Sequence, residues 1–164
     1  VKRVEEMPGH LVRRFQQIAV AIFHAEVGQA GSDITPVQYA ALVAISKNPG
    51  VDQVSLAGLI AYDRTTITGV VDRLAHKGLI VRNASTTDRR ARVLHITNEG
   101  QQTLDTIAPA VEEAQEIMLR GLSQDEQKAF MHLLQKAIGA VNDLSRAPMR
   151  APMRAASKGT QRDL

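Results

Sequence analysis

The stretch Asp63-Arg64-Thr65-Thr66-Ile67-Thr68-Gly69-Val70-Val71-Asp72-Arg73-Leu74-Ala75-His76-Lys77-Gly78 decides how this chain is read. Ile67, Val70, Val71 and Leu74 recur at helical spacing and make one apolar stripe. Asp63 is placed to cap the helix and Gly78 to stop it. Thr65, Thr66, Thr68, Gly69, Asp72 and Arg73 fall largely away from the stripe. A helix lying in a DNA major groove needs small polar residues near its start. Their hydroxyls bond phosphates or base edges, and a threonine methyl can meet a thymine methyl. Gly69 allows close approach, and the helix N-terminus beside Arg64 favours a neighbouring phosphate.

The flanks extend the pattern. Upstream, Ser55 is expected to cap a short helix containing Leu56, Leu59 and Ile60, joined to the threonine-rich helix by Ala61-Tyr62-Asp63. Downstream, Leu79 to Ala84 reads as a strand, Ser85 to Arg90 as a polar turn and Arg92 to Ile96 as a second strand. Two short helices followed by a hairpin predict a winged helix-turn-helix over residues 54–97. The wing carries Arg89, Arg90 and Arg92 within four positions of a projecting turn, suited to a narrow minor groove. Asp88 is expected to hold a neighbouring arginine by a charge-assisted bond.

Further out the chain is helical. Leu11, Phe15, Ile18 and Ile22 predict a helix over about residues 9–29, and Thr35-Pro36-Val37-Gln38 is a capping box opening a second. From Thr97, the set Leu104, Ile107, Val111, Ala114 and Met118 predicts a long helix that Pro109 should kink or break. Ser123 and Glu126 form another capping box, opening a helix through Phe130, Leu133, Leu134, Ala137, Val141 and Leu144. The fold class expected is mainly α with a small β-hairpin. A first helical segment occupies 1–34, the DNA-binding lobe 35–97, further helices 98–144 and a flexible basic tail 145–164, where Arg-Ala-Pro-Met occurs twice.

Composition narrows the function classes. The 164 residues are 44% hydrophobic, enough for a core, but only 3% aromatic, which argues against a single-strand binder that stacks bases. No cysteine is present, so disulfides, thiol chemistry and Cys-ligated zinc are excluded. The histidines His10, His24, His76, His95 and His132 are scattered, and no glycine-rich phosphate loop or nucleophile elbow occurs, so no enzyme, metal site or cofactor is expected. No apolar run reaches membrane-spanning length and no signal sequence is legible, which predicts a cytoplasmic protein. The net charge of +3 is unevenly placed: residues 64–92 carry +5, residues 99–126 carry −6 and residues 145–164 carry +4. The middle of the chain is the part suited to a polyanion.

Thr65 to Ile80, followed by Asp88-Arg89-Arg90-Ala91-Arg92 and by Ile96-Thr97-Asn98-Glu99-Gly100, resembles the MarR family of bacterial regulators, and the likeness extends over about residues 10–144. The resemblance implies a homodimer with the first and last two helices intertwined, so that 1–34 holds the N-terminal dimerisation helix and 98–144 the C-terminal dimerisation helices. It implies binding to a pseudo-palindromic operator in double-stranded DNA, most often as a repressor released by a small molecule. Arg90 corresponds to the family's wing arginine and Asp88 to its supporting acid. Gly69 departs from the larger polar residue found in many members.

The family's effector pocket lies between the dimerisation helices and the DNA-binding lobe. His10, Arg14 and Gln17 share one flank of the first helix beside its apolar stripe, and Tyr39 comes from the second. An arginine beside an apolar wall and a tyrosine suits a small aromatic or heteroaromatic acid, with fork-like pairing for the carboxylate. The segments 11–17 and 52–64 are similar to those of members that control aromatic-acid catabolism. The alternatives at this stage are a regulator that responds to no ligand and one that senses a metal through residues such as His24 and Glu26.

Overall fold

The computed structural model describes residues 3–87 and 91–151. Six helices and a small sheet follow one another as α1 (Pro8–Gln29), α2 (Pro36–Lys47), β1 (Val51–Asp52), α3 (Gln53–Leu59), α4 (Arg64–His76), β2 (Ile80–Ala84), β3 (Arg92–Ile96), α5 (Asn98–Leu119) and α6 (Gln124–Ala140). Local chemistry sets most of these ends. Thr35 and Gln38 exchange bonds across the start of α2, and Ser123 and Glu126 do the same for α6. Gly78, at φ +74°, supplies the left-handed residue that turns the chain from α4 into the wing.

The sheet is antiparallel in the order β1-β3-β2, with Ile80 opposite Ile96, Arg82 opposite Leu94 and Ala84 opposite Arg92. Strand β1 is too short to show a period and was not anticipated; it pairs Val51 with Leu94 and Asp52 with Val93. One cap differs from expectation in an informative way. The Asp52 carboxylate accepts from the Ser55 N–H at 2.9 Å and from the Ser55 hydroxyl at 2.7 Å. Asp52 is therefore the cap of α3, and Ser55 lies inside the first turn as its partner. Helix α5 also runs unbroken through Pro109, which costs one main-chain bond and does not end the helix.

The core lies where α2, α3, α4 and the sheet meet the C-terminal end of α1 and the first turns of α5. Leu42, Ile45, Leu56, Ile67, Val70, Val71, Leu74, Ile80 and Leu94 are fully buried there, joined by Phe23, Val27, Leu104 and Ile107. The stripe predicted for α4 is buried in full. The stripe predicted for α1 is not: Leu11 is 51% exposed and Ile18 49%, and the residues that reach the core are Phe23 and Val27. Helix α6 buries nothing completely, and Leu133, Ile138 and Val141 stand in solvent.

Residues 145–150 depart from the flexible tail expected over 145–164, of which 152–164 lie outside the described residues. A short 3-10 turn over Asn142–Leu144 follows α6, and residues 145–150 then fold back onto α3.

Candidate nucleic-acid interface

Helix α4 is anchored before it is exposed. The Asp63 carboxylate accepts from the Thr66 N–H at 2.9 Å and from the Thr66 hydroxyl at 2.7 Å. Those bonds hold the Asp63 carboxyl below its ordinary range, with the hydroxyl bond the larger cause. The Thr68 hydroxyl donates back to the Arg64 carbonyl at 2.9 Å and accepts from the Gln53 side-chain amide at 2.7 Å. Gln53 therefore ties the first residue of α3 to the middle of the first turns of α4 and fixes the angle between the two helices.

These bonds redistribute the expected roles. The hydroxyls of Thr66 and Thr68 are spent inside the protein, while the side chain of Thr65 is exposed at the helix start beside Arg64. One turn further, Arg73 lies over Gly69: a Cβ at position 69 would sit 3.5 Å from a guanidinium nitrogen of Arg73. The small residue gives the arginine a flat bed on the outer face, and a larger side chain there competes with it for space. The outer face of α4 thus exposes Arg64, Thr65 and Arg73, with Gly69 under Arg73, while the hydroxyls of Thr66 and Thr68 bond to Asp63, Arg64 and Gln53.

The wing is locked to the same helix. Arg82 of β2 makes a surface ion pair with Asp72 of α4, which links the base of the hairpin to the helix. At the other end of α4, Lys77 pairs with Asp33 in the loop between α1 and α2, and that pairing lowers the Asp33 carboxyl. Thr97 closes the wing base: its N–H donates to the Leu79 carbonyl at 3.1 Å and its hydroxyl to the Gly78 carbonyl at 2.7 Å, while it accepts from the Gly100 N–H at 3.0 Å. Arg92 is exposed at the start of β3, facing Ala84 across the hairpin. Asp88, Arg89 and Arg90 lie outside the described residues.

Two contributors escaped the sequence reading, Gln53 and Arg82. Their partners are 15 and 10 residues away, beyond the reach of helical or strand periodicity. A glutamine immediately after a capping aspartate, and an arginine on a strand next to an otherwise unexplained Asp72, were the only signals.

The residues expected to hold an effector do not converge within one chain. His10 and Gln17 gather around Arg13, whose guanidinium donates to Gln17 at 2.9 Å and lies 3.4 Å from the His10 ring nitrogen. Arg14, their intended companion, is exposed with no polar partner among the described residues. Tyr39 packs against Phe23 at 6.0 Å between ring centres, and Phe23 lies about 14 Å along α1 from Arg14. No three His, Asp or Glu side chains come together as a metal site among the described residues. No described helix is long and apolar enough to cross a membrane.

Known proteins share this fold. The MarR family model matches residues 34–91. The HTH-type transcriptional repressor NicR of Pseudomonas putida is 30% identical over 135 residues, 82% of this chain and 84% of NicR. The chain belongs to the MarR family. As a member of that family it is a DNA-binding transcriptional regulator and not an enzyme, and its fold is the family's winged helix-turn-helix. The crystal structure of the PcaV regulator of Streptomyces coelicolor with its natural ligand superposes with a TM-score of 0.78 at 31% identity, covering 86% of this chain and 98% of PcaV. BpsR of Bordetella bronchiseptica, whose DNA binding is regulated by 6-hydroxynicotinic acid, also superposes at 0.78, with 28% identity over 84% of this chain and 96% of its own. In this MarR-family chain, the matched segment begins at the α1–α2 loop and ends at the first residue before β3.

Proposed function

We propose that the chain is a homodimeric repressor of the cytoplasm that leaves a pseudo-palindromic operator when a small aromatic or heteroaromatic acid binds. Residues 35–97 act as the reading lobe, and residues 1–34 and 98–144 hold two copies together. The observation that carries the DNA-binding role is the outer face of α4, where Arg64, Thr65 and Arg73 are exposed on a helix braced by Asp63, Gln53 and Arg82. The proposed base-reading face is Arg64, Thr65, Gly69 and Arg73, with Thr66 and Thr68 as supports. The wing residues Arg89, Arg90 and Arg92 follow the phosphates and minor groove, with Asp88 orienting Arg90.

Dimerisation rests on the two apolar faces that one chain leaves open. Leu11 and Val12 on α1, and Leu133, Ile138 and Val141 on α6, are each more than half exposed. With Phe15 against Phe130 at 5.6 Å, the same helices border an apolar cleft of about 630 Å³. A contiguous apolar surface of this kind on a soluble helix pair is the mark of an interface.

The acid response rests on the likeness to BpsR and on Arg14. Because Arg13 is engaged by Gln17 and His10, Arg14 is the arginine of α1 left to pair with a carboxylate, with His10, Gln17 and Tyr39 completing the site in the assembled dimer. The test is a titration of 6-hydroxynicotinate and of hydroxybenzoates into a complex of the protein with its own selected operator, read by fluorescence anisotropy. Release by at least one acid, lost in Arg14→Ala while operator affinity is kept, is the expected result. Release that is undiminished in Arg14→Ala removes that residue from the site, and no release by any acid overturns the effector class.

A further inference from the structure

The segment that follows α6 is fastened to the helix-turn-helix at several points. Asn142 clasps Met149 from both sides: its side-chain oxygen accepts from the Met149 N–H at 2.9 Å, and its amide donates to the Met149 carbonyl at 3.2 Å. The Ser145 hydroxyl accepts from the Ala147 N–H at 3.1 Å. The Arg150 N–H then donates to the Gly58 carbonyl of α3 at 2.8 Å. A methyl group at Gly58 would come within 3.3 Å of the Arg150 Cβ, so the strap lies directly on the helix. Ala147 and Pro148 are half-buried, and Arg146 and Arg150 are exposed.

The strap places its arginines beside the start of α4. Arg146, Arg150, Arg64, Asp63 and Tyr62 border one open cleft of about 320 Å³. None of the three guanidinium groups has a carboxylate of a described residue within 4.0 Å. Asp63 shares the cleft, but both of its oxygens are occupied by Thr66. Three arginines are thus gathered with no committed counter-charge, at the end of the helix that enters the groove. A cluster of like charge at such a cleft attracts an anion. Guanidinium groups are suited to phosphate through paired N–H donors.

We propose that the Arg146–Arg150 strap is a second DNA-contacting element, in which Arg146 and Arg150 act with Arg64 to hold the duplex phosphates that flank the base pairs read by α4. The inference rests on the DNA-binding role given above and adds a segment outside the winged helix-turn-helix to it. It gives a physical reason for the anchoring: free arginines on a loose tail lose conformational entropy on binding, whereas these are already placed. It also joins the end of α6 to the reading lobe, since the strap leaves one and touches the other.

The test compares wild type with Arg146→Ala/Arg150→Ala and Arg146→Lys/Arg150→Lys on a duplex selected by the wild-type protein from a random pool. Affinity is measured by fluorescence anisotropy between about 50 and 200 mM salt, where each phosphate contact contributes about 0.9 to the slope of log affinity against log salt. The alanine pair is expected to lower that slope by about 1.8 in a dimer, one phosphate per protomer, which makes its loss of affinity across this range about tenfold smaller. The lysine pair keeps most of the slope, and a duplex trimmed to the selected half-sites binds wild type and the alanine pair equally well. An unchanged slope, or tighter binding by the alanine pair at equal thermal stability, overturns the proposal. Failure of the wild type to select any duplex overturns the DNA-binding role itself and the strap with it.

Discussion

Gly100 and the threonines of α4 show how much depends on single side chains. A Cβ at Gly100 would lie 2.1 Å from the Leu79 carbonyl oxygen and 2.8 Å from Ile96 Cγ1. That oxygen belongs to the backbone and already accepts from the Thr97 N–H, so it cannot step aside without opening the wing base. Gly100→Ala is therefore expected to cost at least the 1–3 kcal/mol typical of overpacking, roughly, and to lower the thermal midpoint by several degrees. A midpoint equal to wild type would show that the α5 start is loose. Thr65 and Thr66 should separate by function despite their adjacency. Thr66→Val removes a hydroxyl bond to Asp63 and is expected to lower the melting temperature while leaving the selected DNA sequence alone. Thr65→Ala is expected to keep the melting temperature and change the selected bases. The reverse pattern in melting and selection experiments would exchange their roles. Sequence pattern placed all of these threonines on one face. It could not say which hydroxyls were spent internally, because that depends on Asp63 reaching back three residues and on Gln53 arriving from another helix.

At the scale of elements, helix ends were the most legible feature. Thr35, Asp63, Thr97 and Ser123 each accept from a backbone N–H at the starts of α2, α4, α5 and α6, as residue type and spacing predict. Asp52 was missed as the cap of α3 because Ser55, three residues on, is an equally good capping type. Strand β1 was missed because two residues carry no alternation. The caps also give the fold an acid response. The folded Asp63 carboxyl lies below its ordinary value of 3.8 because Thr66 donates to it, and Asp33 is lowered in the same sense by Lys77. Groups depressed on folding contribute stability that is complete above the unfolded value and is lost as pH falls through the folded value. Asp63→Asn is therefore expected to be less stable than wild type at pH 7, with the gap narrowing below about pH 4 as the aspartate protonates. Urea unfolding at both pH values measures it, and a gap independent of pH would mean that Asp63 is not held in its ionised form by Thr66.

The whole molecule is less legible from periodicity, for a reason rooted in α1 and α6. Both helices display clear apolar stripes, yet Leu11, Ile18, Leu133 and Ile138 remain exposed in one chain. A hydrophobic pattern says that a face is to be covered and is silent on whether the cover comes from the same chain. Among the effector candidates, His10 and Gln17 meet around Arg13, whereas Arg14 has no polar partner among the described residues and Tyr39 packs on Phe23 further along α1. The strap was hidden by composition: Arg-Ala-Pro-Met segments read as a solvated tail, whereas Asn142 and Gly58 fix the first of them to the reading lobe. The charge asymmetry did survive, with basic residues around α4 and the wing and acidic residues along α5.

Whether two copies of α4 are held at fixed spacing to read DNA is tested by selection of binding sites from a random duplex pool. The expected product is an enriched pseudo-palindrome whose half-site centres lie about 10–10.5 base pairs apart, or a multiple of that turn, with Thr65→Ala shifting the same positions in both halves. A single unpaired half-site, or no enrichment at all from a folded protein, would contradict it.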